Sequence, residues 1–495
     1  MEAVDQALLE WAHARVHPGE IDRYLGADGG DFIDDTGIRG TLAQAQAPDD
    51  GRLQWLLEKS LSIRDLSPSE AAELMAVTEP RQRQRMAEAA WAVKRKVYGT
   101  CVAAFAPLHL GNACVNSCAY CGFKTCRPDE HRRVLSEAEI QAAVEVLAGQ
   151  LGHRQLLAVV GEHPSTDAKY ICDSLAAIQA AQARQGRGFA QVRCVGLNAP
   201  PMCIADLRAV QAAGLGSYHV HQATYDRAAF QAAHQSGPKS DYRWRLYAMH
   251  RAMDAGIGQV GLGILAGLAD WRFEGLALLA HAQALEARYG SGPATIQLQR
   301  LEPGNPAADP DNPVDEDSFL RLLTVLRLAL PYVGLIVGSS EGHGLRARAL
   351  ALGVTLTDAA PAIAVGAYHE GGFIDAQSCR QFALGDPEPL QGLVGDLGSS
   401  GSLTSFCSPG MHCDRRGTDF MDALRSGAMA KACRMNAVLS FKEWIEDFAD
   451  LGAQAAGERL LDMEVAELGR EFPDCRGTLS DHLGRIGRGE RGLAY

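Results

Sequence analysis

Between residues 102 and 359 the chain repeats one pattern eight times: a short apolar run, then an amphipathic stretch with apolar residues at three- and four-residue spacing. The predicted strands are Val102–His109, Gln155–Val160, Gln191–Leu197, Ser217–His221, Gln259–Leu265, Thr295–Leu301, Val333–Gly338 and Val354–Ala359. Predicted helices at Glu137–Leu151, Ala168–Arg184, Tyr242–Ala255, Phe273–Tyr289 and Glu316–Leu330 lie between them. Runs such as Ala212-Ala-Gly-Leu-Gly216 and Ala255-Gly-Ile-Gly258 look like helix ends feeding the next strand. Strands alternating with helices in this way form a parallel sheet, here a (β/α)8 barrel of the α/β class or an open barrel with fewer strands. Chemistry is then expected at the C-terminal ends of the strands.

The flanks differ from this middle. Residues 1–98 predict a helical region, with a short helix near Ala7–Val16, a helical period from Leu53 and a helix start at Ser67-Pro-Ser-Glu70. A third helix, about Pro80–Tyr98, carries Lys94-Arg-Lys96, expected to be a solvated helix end. The barrel is expected over 99–375. A mainly helical, cysteine-containing extension follows over 376–495, joined by a Gly-, Pro- and Ser-rich linker at 386–404. A net charge of −13 argues against a nucleic-acid or anionic-membrane surface. No apolar run approaches the ~18 residues of a spanning helix. The N-terminus is acidic with no signal-peptide core, which predicts a cytoplasmic protein.

The 13 cysteines are too sparse for a disulfide scaffold and are unevenly placed. Three fall together in Cys114-Val-Asn-Ser-Cys118-Ala-Tyr-Cys121-Gly-Phe, directly after the first strand. A loop with this spacing wraps three irons of a [4Fe–4S] cluster with thiolates. The fourth iron is left open for the amino and carboxylate groups of S-adenosylmethionine (SAM). Tyr120 and Phe123 supply apolar walls suited to the adenine ring. A structural zinc site would recruit Cys126 or His131, but the usual paired C-x-x-C arrangement is missing.

The stretch Phe105-Ala-Pro-Leu-His-Leu-Gly-Asn-Ala-Cys-Val-Asn-Ser-Cys-Ala-Tyr-Cys-Gly-Phe123 resembles the radical SAM aromatic amino acid lyases, and most of all their [FeFe]-hydrogenase maturase branch. Further echoes are Gly161-Glu-His-Pro164, Gln222-Ala-Thr-Tyr225, Gly237-Pro-Lys-Ser-Asp-Tyr242, Gly261-Leu-Gly-Ile-Leu-Ala-Gly-Leu268 and Asn436-Ala-Val-Leu-Ser-Phe-Lys-Glu443. The resemblance implies cluster ligation by Cys114, Cys118 and Cys121, with Glu162 meeting the SAM ammonium. It makes Asn198 and Gln222 candidates for ribose or substrate contacts. Gly261 and Gly263 are expected either to let backbone approach the adenine or simply to permit close packing.

The sequence also departs from that family. The maturase's C-terminal C-x-x-C is replaced by Cys407 and Cys413, with Cys433 keeping the third position. A relocated second iron–sulfur cluster, another metal using His412, or leftover thiols are the open alternatives. Ala294 stands where a histidine is expected, Ala223 where a glutamate is usual, and Ser340 where an arginine lies near the substrate. Ser339, Glu341 and Arg346 are the remaining substrate-site candidates, Arg346 as a compensating carboxylate partner. The resemblance implies an enzyme that cleaves SAM at the [4Fe–4S] cluster and uses the 5′-deoxyadenosyl radical to fragment tyrosine or a related amino acid. It would take electrons from a flavodoxin- or ferredoxin-like donor. The competing readings are the same chemistry on a different amino acid or analogue, and a non-catalytic iron–sulfur carrier.

Overall fold

The computed structural model describes residues 6–125, 132–185, 188–302, 310–359, 362–369, 372–373, 380–407 and 418–495. Helices α1 (Asp50–Leu61), α2 (Pro68–Met75) and α3 (Pro80–Tyr98) lead into the barrel. Helix α2 starts at a capping box: the Ser67 side chain accepts from Glu70 N, and the Glu70 carboxylate accepts from Ser67 N. Along α1 the residues Leu53, Leu56 and Leu57 form the buried stripe that its three- and four-residue spacing predicts.

Eight parallel strands follow: β1 (Val102–Gly111), β2 (Gln155–Val160), β3 (Cys194–Asn198), β4 (Ser217–His219), β5 (Val260–Ala266), β6 (Thr295–Arg300), β7 (Gly334–Ile336) and β8 (Leu356–Asp358). Each pairs with the next, and β8 returns to β1 through Ala103↔Leu356, Ala104↔Thr357 and Phe105↔Asp358. The ring is therefore closed, and all eight strands fall where the apolar runs predict them. Strands β2 and β5, covered by helices outside and side chains inside, are buried throughout. Gly214 and Gly256 take positive φ (+89° and +98°) where a helix ends and the next strand begins.

Two features concern β1. Its lower half pairs on one side with a short ninth strand, β9 (Thr404–Ser405), through Val102↔Thr404 and Ala103↔Ser405. Its upper half pairs with β2, with a register break between His109 and Gly111. Such a break re-aims the chain at a sheet end, here just before the cysteine loop.

The structure corrects two expectations. The segment read as a linker holds a helix, α4 (Leu390–Ser399), which buries Leu390, Leu393, Val394 and Leu397. Four apolar residues on one helical face outweigh the local Gly and Ser. Lys94 is not a solvated helix end: it is fully buried, its Nζ lies 4.8 Å from the centre of the Trp91 ring, and burial lowers its pKa to about 7. Helices α5 (Ala428–Phe448) and α6 (Leu451–Glu471) pack together and close the N-terminal end of β1. There Arg434 lies against Gly99, and Thr100 Oγ1 donates to Glu464. Among the described residues no helix is long and apolar enough to cross a membrane.

Candidate active site

The loop after β1 brings Cys114, Cys118 and Cys121 together at the C-terminal rim. Its backbone is anchored on several sides. Val115 N donates to Glu162 O (2.8 Å), Ala119 N to Ala233 O (2.9 Å), Gly122 N to Gln381 O (2.8 Å) and Thr125 N to Asn116 O (3.0 Å). Two glycines make that fit possible. A Cβ on Gly161 would meet Ala113 O at 2.2 Å, and one on Gly122 would meet Arg380 O at 2.0 Å.

Asn116 is the hub of the loop, and the sequence did not single it out. Its Nδ2 donates to Glu162 Oε2 (2.7 Å), and its Oδ1 accepts from Lys239 N (2.9 Å). Cys118 and Cys121 are buried, and Cys114 is partly so. Burial, then the neighbouring Cys118 and Cys114 sulfurs, push the Cys121 thiol up to about 12, and Cys114 is raised by burial and Cys118. Three soft donors this close repel one another as bare thiolates and suit a shared cationic metal centre, which removes that repulsion.

The surroundings fit SAM as well. Glu162 is 4% exposed, and its second oxygen, Oε1, has no hydrogen-bond partner. Burial raises its pKa, against the hydrogen bond from Asn116. Gln222 is 2% exposed with both amide atoms unpartnered. An unsatisfied buried carboxylate oxygen on the residue tied to the cysteine loop is what a ligand with its own ammonium would satisfy. Lys239 and Arg245 bring positive charge to the same side. Lys239 Nζ donates to Tyr120 OH (2.7 Å), and Arg245 Nε donates to His221 O. Burial and then Arg245 depress the Lys239 pKa, against the pull of the three sulfurs.

Inside the barrel lies a cavity of ≈ 130 Å³. Tyr120, Asn198 and Ser339 line it. Tyr120 OH also meets His234 Nε2 at 2.8 Å, and its ring stacks on Phe382, 6.3 Å between centres. Several other expected residues do not face it. Phe123 is buried with its ring edge-on to His109. A Cβ on Gly261 or Gly263 would strike His219 Nδ1 (2.2 Å) or the His221 ring (2.5 Å), so close packing between strands accounts for both glycines.

Glu341 is buried as an acceptor for Arg300, from N at 2.7 Å and Nε at 3.0 Å. Arg346 turns outward to Asp386 (2.7 Å) and Glu388 (2.9 Å), with Nη1 on the Asp358 carbonyl. The carboxylate-binding role expected of Arg346 is therefore not open to it, since its charge is already matched outside the cavity. The sequence missed His109, His221, Gln297, Gln299 and Asp358, which line the lumen. Strand alternation was the signal available for His109 and Gln297. Cys407 and Cys433 lie toward the opposite end of β1, whereas Cys413 lies outside the described residues.

A closed parallel barrel with three converging thiols on the loop after its first strand defines a radical SAM enzyme. Residues 108–280 match the Radical SAM superfamily. The crystal structure of HydG, a maturase of the [FeFe]-hydrogenase, superimposes with a TM-score of 0.87 at 32% identity, covering 94% of this chain and 100% of that one. HydG from Carboxydothermus hydrogenoformans gives 0.76 at 28% identity, covering 91% and 98%. The 2-iminoacetate synthase of Escherichia coli is 27% identical over 300 residues, 60% of this chain and 76% of that relative. The chain belongs to the radical SAM aromatic amino acid lyase family, whose cofactors are a [4Fe–4S] cluster and SAM.

Proposed function

We propose that this enzyme fragments an amino acid of tyrosine type, or a close analogue, at or next to the Cα–Cβ bond. The observation that carries the reading is the junction of the cysteine loop with a closed polar lumen. When bound, the cluster supplies one electron to SAM, whose cleavage yields the 5′-deoxyadenosyl radical for hydrogen abstraction.

The protein's own part is positioning and exclusion. Cys114, Cys118 and Cys121 would hold the cluster. Asn116 orients the Glu162 carboxylate and ties it to the loop, so that Glu162 Oε1 is free to accept from an ammonium. Tyr120, fixed by His234 and Lys239, walls the lumen on the cluster side. Burial keeps His109 and His221 neutral near pH 7, with pKa values lowered to about 4 and about 3. Both are therefore available as uncharged donors or acceptors toward a substrate. The closed ring of strands shields the reacting atoms from water. A small low-potential donor such as flavodoxin or ferredoxin would supply the electron.

Anaerobic reconstitution with iron, sulfide, SAM and a reductant is expected to give 5′-deoxyadenosine together with an amino-acid side-chain fragment, p-cresol where tyrosine is cleaved. Deoxyadenosine with no fragmentation of any amino acid would leave the radical step and discard the lyase.

A further inference from the structure

The charges lining the lumen are arranged across it. Lys239 and Arg245, its cations among the described residues, sit between β4 and β5 on the cluster side. Asp358 ends β8, which stands opposite β4 in the ring. Its oxygens accept from Ser339 N (2.7 Å) and Ser339 Oγ (2.5 Å), both uncharged donors. Asp358 is 7% exposed and, among the described residues, forms no ion pair. The arginines of the neighbouring segments pair with other carboxylates: Arg300 with Glu341, and Arg346 with Asp386 and Glu388, while Arg346 Nη1 reaches the Asp358 backbone carbonyl (3.1 Å) without an ion pair to its carboxylate.

A carboxylate this deeply buried normally has a cationic partner, because burial without one costs several kcal/mol. Further along β1, beyond Phe105 which pairs with Asp358, His109 also lines the lumen and is 6% exposed with Nδ1 unpartnered. Across the lumen, His221 and Gln297 face each other as uncharged polar groups. Among its described lining residues this wall holds one negative charge, uncharged polar groups and no cation, so it repels a carboxylate and suits a donor.

We propose that Asp358 is the specificity-determining residue of this lumen and binds a cationic nitrogen of the substrate, an amine or a guanidine. The substrate is then an amino acid or analogue with a positively charged side chain, that charge at Asp358 and its α-carboxylate toward the cluster-side cations. This rests on the reading of the lumen as the substrate site and departs from tyrosine itself as the substrate.

The test compares L-tyrosine and L-phenylalanine with L-lysine, L-arginine and 4-aminomethyl-L-phenylalanine, using the reconstituted holoenzyme, SAM and dithionite. Substrate-dependent deoxyadenosine release is measured, alongside calorimetric binding on the same preparation. At least one cationic probe is expected to have a KM about 10- to 100-fold below that of its neutral counterpart. Asp358→Asn collapses that ratio, and Asp358→Glu keeps its direction. A purely structural role through Ser339 would weaken all probes alike and leave the ratio unchanged, which overturns the proposal. So does a wild type that favours tyrosine or phenylalanine. If no probe releases deoxyadenosine, the radical reading fails separately. The calorimetry then decides: tighter binding of a cationic probe upholds the Asp358 assignment, and no such preference overturns it.

Discussion

Cysteines stand near both ends of β1, and the two ends treat them differently. At the C-terminal end, Cys114, Cys118 and Cys121 share a loop pinned by backbone hydrogen bonds to three separate segments, with Glu162, Lys239 and Arg245 around them. At the N-terminal end, Cys101 packs in an apolar cluster with Glu464, Lys94 and Arg434 near it, and burial, then Glu464, raises its thiol to about 12. Cys433 comes from α5, and Cys407 follows β9. Ten residues of strand, roughly 30 Å, separate the two ends. The difference teaches that a metal-binding thiol is defined by convergence and access: several sulfurs on one short loop, with polar groups left for a ligand. A buried cysteine without those neighbours behaves as a small apolar side chain.

Breaking the upper end should have the largest effect. Cys118→Ala is expected to abolish SAM cleavage and remove the loop's share of bound iron, measured as deoxyadenosine and iron per chain. Retained cleavage would remove the cluster assignment. In the Cys114/Cys118/Cys121→Ala variant, any remaining iron–sulfur EPR signal reports on the lower end alone. Glu162→Gln keeps the hydrogen-bonding shape but removes the charge. The KM for SAM should rise about 10- to 100-fold with iron content unchanged, and an unchanged KM would place the SAM ammonium elsewhere.

At the lower end the effects concern stability and are smaller. The folded pKa of Lys94, about 7, lies below its unfolded value. Below pH 7 the lysine is charged in both states, and the burial penalty is felt in full. From pH 7 toward 10.5 the unfolded chain binds the extra proton, so the penalty fades as pH rises. Lys94→Met should therefore raise the melting midpoint by about 5 °C at pH 7, with the gain shrinking as pH approaches 10. A gain independent of pH would assign the effect to packing. Smallest of all, Cys407→Ser with Cys433→Ser should leave SAM cleavage within about twofold of wild type, as expected for distant sites. A large loss would couple the two ends.

The alternation of short apolar runs with amphipathic stretches made all eight strands legible, because the face of each strand under the helices must be apolar even where polar residues such as Gln297 and Asp358 face the lumen. The cysteine loop was legible because three ligands fall within eight residues. What stayed hidden depends on contacts far apart in the chain. Asn116 reaches Glu162 and Lys239, and Asp358 gains its place only when β8 returns to β1. Arg346 illustrates the reverse error: its residue type suited a carboxylate, but its helix points it at Asp386 and Glu388. Helix α4 could have been found, since Leu390, Leu393, Val394 and Leu397 follow helical spacing; composition was given more weight than period.

The pairing of β1 with both β8 and β9 also bears on how the chain reaches its final form. The strand that leads into the cysteine loop emerges early in synthesis, yet its partners come about 250 and 300 residues later. Until they arrive, one edge of β1 stays open, and the loop beyond it lacks Gln381, one of its anchors. Barrel closure is thus a late event of high contact order. The last anchor of the cysteine loop is therefore made only after every barrel strand has been laid down.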